Sequence, residues 1–203
     1  MMPLLLAAVL TGAPVTVEAD PNHSTVSFAV KHMMVTTVRG TFTRFSSIAT
    51  FDKNDLAKSS VEVKTDPASI NTNNEKRDGH LKSPDFFDVQ RCPEMTFKST
   101  KIDKAGDKYK VTGDLNMHCV TKPLVLEASF GDQPVKGPVG PVYPASATGK
   151  LKRSDWGLNW NKSLESGGVI VSDDVNLELD FEYVPKVSQA KQEAQSETKA
   201  KKN

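Results

Sequence analysis

The feature that most constrains the fold is a period-two alternation of apolar and polar side chains in residues 24–45. One parity carries bulky side chains and the other small or polar ones: Val26, Phe28, Val30, His32 and Met34 against Thr25, Ser27, Ala29 and Lys31. Because successive side chains of a strand point to opposite faces, this pattern predicts a strand with one apolar face. Gly40 marks the position where we expect a bend or bulge. The sequence therefore predicts a sheet that curves around an apolar interior.

The same alternation recurs along the chain and predicts about eight strands. Further strands are predicted at residues 48–52, 60–66, 94–103, 108–118, 123–130, 145–153 and 175–183. Residues 71–88 break the pattern and predict a short helix at 73–81, which Pro84 prevents from continuing. Short connections between consecutive strands favour antiparallel neighbours, and closure removes exposed edges. The predicted fold is an all-β antiparallel barrel with one helical insert.

The parity of each strand predicts which side chains point into the barrel. An eight-stranded barrel is either filled by its own side chains or holds one small ligand, and alternation alone leaves both alternatives open. The predicted inward-facing residues are Val26, Phe28, Val30, Val61, Val63, Phe97, Val111, Leu115, Met117, Leu124, Leu126, Leu177 and Leu179.

Composition excludes several classes of function. The 203 residues include 26 Lys and Arg against 25 Asp and Glu, so a formal charge of +1 provides no global field for nucleic acid or an anionic membrane. His23, His32, His80 and His118 show no close metal-ligand spacing, and no strained Ser or Cys elbow accompanies Asp78 and His80. We therefore expect no metal, no cofactor and no enzyme activity.

The two cysteines, Cys92 and Cys119, could form a disulfide. A two-residue turn at Ala105-Gly106, within a hairpin turn predicted at residues 104–107, pairs positions that sum to 211 and sets the two cysteines opposite each other. That register also pairs Phe97 with Asp114, so a longer loop or a bulge near Pro93 is the alternative. In either register the cysteines remain close.

The two ends of the chain differ from the barrel segments. Residues 4–10 form an apolar run that is too short to span a bilayer but suits the core of a secretory signal, although no Lys or Arg precedes it. From residue 185 onwards the chain is rich in Lys, Gln, Glu and Ser and has no aromatic residue, which is typical of a solvated tail. The predicted organisation is a leader at 1–19, a barrel domain at 20–184 and a disordered tail at 185–203.

Several blocks in order resemble the YceI-like family. They are His23-Ser24, Val26-Ser27-Phe28, Lys31-His32-Met33-Met34-Val35, Val38-Arg39-Gly40-Thr41-Phe42, Ala68-Ser69-Ile70-Asn71-Thr72, Arg77-Asp78, His80-Leu81-Lys82-Ser83, Asp85-Phe86-Phe87-Asp88, Val111-Thr112-Gly113-Asp114-Leu115, Val120-Thr121-Lys122-Pro123 and Arg153-Ser154-Asp155. The resemblance runs from about residue 20 to residue 183. The chain departs from the family at Trp156, where Phe is commoner, and at Cys119, where Gly is typical.

The resemblance implies a lipocalin-like barrel that is exported to the periplasm of a bacterium and binds a polyisoprenoid or another long amphiphile in its pore. It favours a cavity over a packed core, with Phe42 added to the predicted lining. His32 and Arg44 would meet a polar head group or, alternatively, bond to backbone or a neighbouring carboxylate. Trp156 and Trp160 would line the mouth or plug the core. Arg77, Asp78 and His80 would gate the mouth or hold the insert in place.

The predicted function is non-enzymatic carriage of a long hydrophobic ligand, such as a quinone or a polyprenyl phosphate. The alternatives are a stress-protective scavenger of hydrophobic toxic compounds and, less favoured, a lipid-modifying enzyme. No stretch beyond the leader is long and apolar enough for an integral membrane segment. Dimerisation through an exposed strand is a further alternative that the sequence leaves open.

Overall fold

The computed structural model describes residues 14–52, 54–131, 133–138, 140–163 and 168–186. Within these residues the strands are β1 Val15–Ala19, β2 Thr25–His32, β3 Thr36–Phe42, β4 Phe45–Phe51, β5 Ser60–Thr65, β6 Ile70–Asn71, β7 Met95–Ala105, β8 Lys108–Met117, β9 Val120–Phe130, β10 Val135–Lys136, β11 Pro141–Lys152 and β12 Val171–Pro185. The helix α1 is Glu75–Lys82, and short 3-10 helices span Leu56–Lys58, Pro67–Ser69 and Arg153–Trp156.

These strands form one closed antiparallel barrel. β1 and β2 follow each other along the same side of β12, and the other side of β12 pairs with β11. Next to them, β3 pairs with β2 and β4 pairs with β1, so that β3 and β4 together form the next strand of the barrel. The strand after that consists of β6, which pairs with β3, and β5, which pairs with β4. Counted as continuous units, eight strands follow one another around the barrel in chain order. The predicted all-β barrel of about eight strands with one helical insert is confirmed.

The two ends of the barrel differ in how they are filled. At the closed end, which holds β1 and the β7–β8 turn, an aromatic cluster packs across the interior. The ring centroids of Phe51 lie 5.8 Å from Tyr109 and 5.4 Å from Phe130, and Tyr109 and Phe130 are 5.2 Å apart. At the open end, which holds the start of β12 and the β2–β3 hairpin, α1 covers the barrel instead. Side chains of the barrel therefore fill the interior at the closed end only.

Two sequence predictions about local geometry are wrong. Gly40 marks no bend, because β3 pairs with β2 in continuous register through this position. A side chain there would meet the ring of Phe28 at 2.5 Å, so the glycine gives room to that ring. The bulge lies instead in β7, between Ser99 and Lys101.

The β7–β8 turn is also displaced by one residue from the predicted position. Ala105 pairs with Lys108, so the two turn residues are Gly106 and Asp107. Gly106 has a φ of 67°, which a glycine adopts without steric cost. With this turn and the bulge in β7, Phe97 faces Leu115 rather than Asp114, and the apolar side chains of the two strands share one face.

The predicted leader and tail fall mostly outside the described residues, which exclude 1–13 and 187–203. The last residues of the predicted leader, Val15–Ala19, form β1, which pairs with both β4 and β12. The predicted tail boundary at 185 falls on the last residue of β12. Within the described residues, none of the helices has the length and apolar character needed to cross a membrane.

A hydrogen bond between Tyr183 and Ser47 lies buried in the closed half of the barrel. Their hydroxyl oxygens are 2.6 Å apart, and the Ser47 hydroxyl also contacts the carbonyl of Glu62 at 3.1 Å. Burial raises the pKa of Tyr183 to about 12, although the Ser47 hydrogen bond opposes the shift. A tyrosine phenol in the unfolded chain ionises near pH 10. Between pH 10 and pH 12 the folded protein therefore keeps a proton on Tyr183 that the unfolded chain has lost.

We expect the stability contributed by neutral Tyr183 to be complete below pH 10 and to disappear as the pH rises from 10 to 12. The loss is about 2 to 3 kcal/mol, since one unit of pKa is about 1.4 kcal/mol. Urea unfolding of the wild-type chain and of Tyr183→Phe across this range measures it. The variant should be less stable by about 1 kcal/mol below pH 10 and should overtake the wild type above pH 11. Parallel pH profiles for the two proteins would contradict the assignment.

Candidate functional site

The open half of the barrel encloses a cavity of about 310 Å³. Its walls are built from the inward-facing residues of β2, β3, β5, β7, β8, β9, β11 and β12, and most of its lining is aliphatic or aromatic. The cavity lies above the packed closed half and below α1. Its volume is at the lower end of the range of small-molecule pockets, which runs from about 300 to about 1,000 Å³.

Most of the predicted lining residues contact this cavity. They are Val26, Phe28, Val30, His32, Phe42, Val63, Phe97, Leu115, Met117, Leu124, Leu126, Trp160, Leu177 and Leu179. Strand parity identified all of these except Phe42 and Trp160, because alternate side chains of a closed barrel necessarily point inward.

Four predicted site residues lie elsewhere. Arg44 is on the outside, where its guanidinium forms an exposed ion pair with Asp66 at 2.6 Å. Of the two alternatives for Arg44, the ion pair corresponds to the bond with a neighbouring carboxylate. Arg44 lies in the turn between β3 and β4, where the alternation resets. Val61 and Val111 pack in the core below the cavity floor and do not line it. Trp156 is a buried plug whose indole N–H donates to the Leu115 carbonyl at 3.0 Å.

The cavity is covered by a lid, which we define as residues 74–92. The lid begins with α1, whose N-cap Asn74 accepts a hydrogen bond from the Arg77 N–H at 3.0 Å. The helix was predicted at residues 73–81 and is observed at Glu75–Lys82. Leu81, Phe86 and Phe87 of the lid reach down into the cavity. Apolar side chains from outside the sheet therefore form the roof.

A polar cluster fixes the start of the lid to the barrel. The Asp78 carboxylate accepts hydrogen bonds from the backbone N–H of Thr72 at 2.9 Å and from its hydroxyl at 2.5 Å. Arg77 donates from Nε to the Thr72 hydroxyl oxygen at 2.7 Å and from its terminal nitrogen to the Thr72 carbonyl at 2.8 Å. Thr72 directly follows β6, so these contacts tie α1 to the sheet. Of the two alternatives for this group, Arg77 and Asp78 hold the insert in place.

The end of the lid is tied down by a disulfide between Cys92 and Cys119, whose Cα atoms are 5.4 Å apart. Cys92 is the last residue of the lid, and Cys119 lies in the turn between β8 and β9. Cys119 has a φ of 59°, in the left-handed region that favours glycine. A cysteine here thus occupies a turn position that is ordinarily suited to Gly and links it covalently to the lid.

An aromatic cluster closes the seam between the lid and the chain that follows Trp156. The ring centroids of His80 lie 5.1 Å from Phe86 and 4.8 Å from Trp160, both edge-on, and Phe86 and Trp160 are 5.3 Å apart. The His80 Nε2 is 2.8 Å from the Asp85 carboxylate. Trp160 therefore lines the mouth of the cavity, in contrast to Trp156.

The few polar groups of the lining are gathered at the open end. Arg153 is buried and donates to the backbone carbonyls of Ser172 at 3.0 Å, Val171 at 3.5 Å and Leu158. Burial lowers the pKa of Arg153, and the nearby charge of Asp173 opposes that shift. The ring of His32 lines the cavity, is half-buried and has no hydrogen-bond partner within the described part of the chain. The cavity therefore has a polar mouth and an apolar floor.

The described residues contain no group of three or more His, Cys, Asp or Glu side chains that could hold a metal ion. The arrangement is suited to enclosing an apolar molecule and to contacting a polar atom at one end of it.

A family model described as the YceI-like domain matches residues 18–183. The chain belongs to the YceI-like family. It is 35% identical over 167 residues to the UPF0312 protein SAS2572 of Staphylococcus aureus (strain MSSA476), a match that covers 81% of this chain and 94% of that protein. The resemblance identified from the sequence blocks is thus confirmed.

Solved structures share the barrel. The Campylobacter jejuni YCEI protein is 34% identical with a TM-score of 0.64, over 78% of this chain and 90% of that one. BcnA of Burkholderia cenocepacia has a TM-score of 0.71 at 24% identity, over 82% and 99% of the two chains. A polyisoprenoid binding domain from Saccharophagus degradans, implicated in plant cell wall breakdown, has a TM-score of 0.59 at 15% identity, over 85% and 99%. The last two likenesses show the fold alone.

Some cavity-lining residues of this YceI-like barrel were not predicted from strand parity, and most of them lie outside regular strands or at strand ends. They are Val38, Thr65, Thr72, Arg77, His80, Leu81, Phe86, Phe87, Met95, Leu151, Arg153, Leu158, Ile170, Val171 and Val175. For the lid, the available signal in the sequence is the presence of Leu81, Phe86 and Phe87 in an otherwise polar insert.

The disulfide of the YceI-like barrel should contribute about 3 kcal/mol to stability, because it closes a loop with a sequence separation of 27 residues. We expect Cys92→Ala/Cys119→Ala to lower the free energy of urea unfolding by this amount relative to the oxidised wild type. Reductant should destabilise the wild type to the same extent and leave the double variant unchanged. Mass measurement before and after reduction checks the bridge itself, and two free thiols in the oxidised sample would disprove it.

Proposed function

We propose that this chain binds a long-chain hydrophobic ligand, a polyisoprenoid such as a quinone or a polyprenyl phosphate, and carries it without covalent chemistry. The observation that carries this proposal is the enclosed apolar cavity beneath the lid. The name of the Saccharophagus degradans neighbour, a polyisoprenoid binding domain, supports the same class of ligand. We further propose that the chain works in the periplasm, for which residues 4–10 would supply the core of an export signal.

The affinity would come from burial of hydrocarbon. Each methylene removed from water contributes about 0.8 kcal/mol, so a few isoprene units that contact Val63, Phe97 and Leu126 suffice for useful binding. Ordering the flexible chain and losing its free motion offset much of this gain. The net affinity should therefore rise with ligand length until the cavity is full and then level off.

The cavity volume limits how much of a long chain can be enclosed. A cavity of about 310 Å³ holds a small molecule or part of a long one. A polyisoprenoid of many units would therefore leave part of its length outside or displace the lid. Because the closed end is filled by Phe51, Tyr109 and Phe130, the extra length leaves by the open end.

The polar end of the ligand would lie at the mouth, near His32. Among the basic side chains of the lining, His32 is the one without a hydrogen-bond partner in the described residues, whereas Arg77, His80 and Arg153 already bond to protein atoms. His32 is half-buried, so its ring N–H is free to donate to a carbonyl or phosphate oxygen of the ligand in place of water. The apolar tail would then point to the floor.

The scavenger alternative is favoured by one observation, the scarcity of polar contacts in the cavity wall. Apolar contacts are not directional, so such a wall selects by size and shape more than by functional groups. Native mass spectrometry of protein purified from its own cells distinguishes the two functions. One co-purified prenyl lipid supports carriage, whereas equal uptake of unrelated hydrophobic compounds supports scavenging. Turnover of an added lipid would instead indicate an enzyme.

We expect Leu115→Arg to abolish ligand loading, since it places an unpaired charge in the apolar cavity. The measurement is the bound fraction of a prenyl lipid in native mass spectrometry. Val125→Arg is the matched control, because Val125 lies on the exposed face of the neighbouring strand β9. The control should load as the wild type does. A folded Leu115→Arg protein with unchanged loading would refute the cavity as the binding site.

Replacing His32 tests the orientation of the ligand separately. We expect His32→Leu to lower affinity for a prenyl phosphate by tenfold or more, as a hydrogen bond to a charged group contributes about 1.5 to 3 kcal/mol. Affinity for the hydrocarbon of the same length should stay within about twofold. Equal losses for the two ligands would show that His32 shapes the cavity and makes no head-group contact.

A further inference from the structure

The tip of the β2–β3 hairpin presents three adjacent apolar side chains to solvent. Met33 is 47% exposed, Met34 61% and Val35 76%. Other exposed large hydrophobic residues of the described chain, such as Val125 and Val135, stand apart from one another on the barrel wall. Contiguous exposed apolar surface on a protein is typical of a site that contacts another molecule or a membrane.

The backbone holds these side chains outward. The Val35 N–H donates to the His32 carbonyl at 3.1 Å and closes a turn whose central residues are Met33 and Met34. Their φ angles are 51° and 61°, and hairpin turns with two positive φ angles strongly prefer Asn-Gly. Two methionines are therefore poor turn formers at this position. Packing within the protein does not account for them, because both side chains are substantially exposed.

The tip stands beside the mouth of the cavity. His32 and Val38, which flank the turn, line the cavity, and so does Ile170. The Met33 N–H donates to the Ile170 carbonyl at 2.8 Å, which fixes the turn to this rim. Apolar surface is thus present both inside the mouth and on the outer tip next to it.

The charged side chains of the segment that carries the tip are all basic. Residues 21–51 contain no Asp or Glu, whereas Lys31 and Arg39 flank the tip on β2 and β3. Both of these residues are exposed. Lys162 is also exposed and lies next to the tip, because its carbonyl accepts the N–H of Ile170. Asp173 and Asp174 of the neighbouring β12 are bonded to Ser154 and Lys150 respectively. Although the whole chain is nearly neutral, the hairpin that carries the tip is therefore cationic.

We propose that residues 33–35 insert into the surface of a lipid bilayer that contains anionic lipids and set the mouth of the cavity against it. An apolar tip flanked by Lys31, Arg39 and Lys162 is complementary to such a surface, where acyl chains lie beneath anionic head groups. The proposed function gives this contact its purpose, since a hydrophobic ligand could then pass between bilayer and cavity with little exposure to water. The contact itself needs no cargo, so it is tested without one.

The test compares the full chain with Met33→Asn/Met34→Gly in co-sedimentation with vesicles. This variant removes both exposed side chains and installs the residues that the turn geometry prefers, so the hairpin stays folded. On phosphatidylcholine vesicles that contain phosphatidylglycerol, we expect it to bind at least tenfold more weakly than the wild type. The matched control, Val125→Thr/Val135→Thr, removes two apolar side chains that are 45% and 59% exposed elsewhere on the barrel. Its binding should remain at the wild-type level.

Two further measurements isolate the tip. Lys31→Glu should weaken binding at low salt and bring it to the level seen with pure phosphatidylcholine. Brominated acyl chains should quench a tryptophan placed at the tip in Met34→Trp, relative to the unsubstituted chain. They should leave a tryptophan unquenched in Val135→Trp. The second measurement reports the tip directly, whatever residues 4–10 contribute to binding.

The proposal is overturned if the wild-type chain does not sediment with either kind of vesicle, or if the Asn-Gly variant binds as the wild type does. Equal quenching at positions 34 and 135 would also overturn it. If sedimentation velocity shows a dimer that only the tip variant loses, while vesicles are not bound, the tip is a contact between two copies of the chain. Because ligand loading is measured separately, loss of vesicle binding with intact loading leaves the proposed function standing.

Discussion

Closure of the sheet between β11 and β12 is the constraint on which the rest of the structure depends. These strands pair continuously from Tyr143 and Tyr183 to Lys152 and Asp174, and the other side of β12 pairs with β1 and β2. A closed sheet has no exposed edge, and its side chains have only two directions, inward and outward. Alternation along each strand therefore becomes a division between an apolar interior and a polar surface.

A cavity persists because the two ends of this interior are filled by different parts of the chain. The closed end is packed by side chains of the barrel strands, including the Phe51, Tyr109 and Phe130 cluster. The open end is roofed by Phe86 and Phe87 of the lid, which approach from outside the sheet. Neither group reaches the middle, so the side chains between them line a space that the protein itself does not occupy.

Sequence reasoning predicted the barrel and most of the cavity wall, because inward parity is a local property of each strand. It failed where position depends on the third dimension. Val61 and Val111 have the correct parity, but parity carries no information about depth along the barrel axis. Arg44 lies in a turn that resets the alternation, and its ion pair with Asp66 joins residues distant in sequence. Gly40 was interpreted as the position of a bend or bulge, whereas the close approach of the Phe28 ring is the reason that a glycine is needed there.

The attachments around the mouth differ in strength, and this difference bears on how a ligand enters. The lid is held at its start by the hydrogen bonds of Thr72 with Arg77 and Asp78, and at its end by the disulfide at Cys92. On the opposite rim, the Met33 N–H bond to the Ile170 carbonyl joins the hairpin turn to the segment before β12. Local opening follows the segments with the fewest buried contacts and bonds. A chain that left the cavity under the lid would have to break the Thr72 bonds or pass within the loop that the disulfide closes, whereas one that left over the hairpin rim would pass beside the exposed apolar tip.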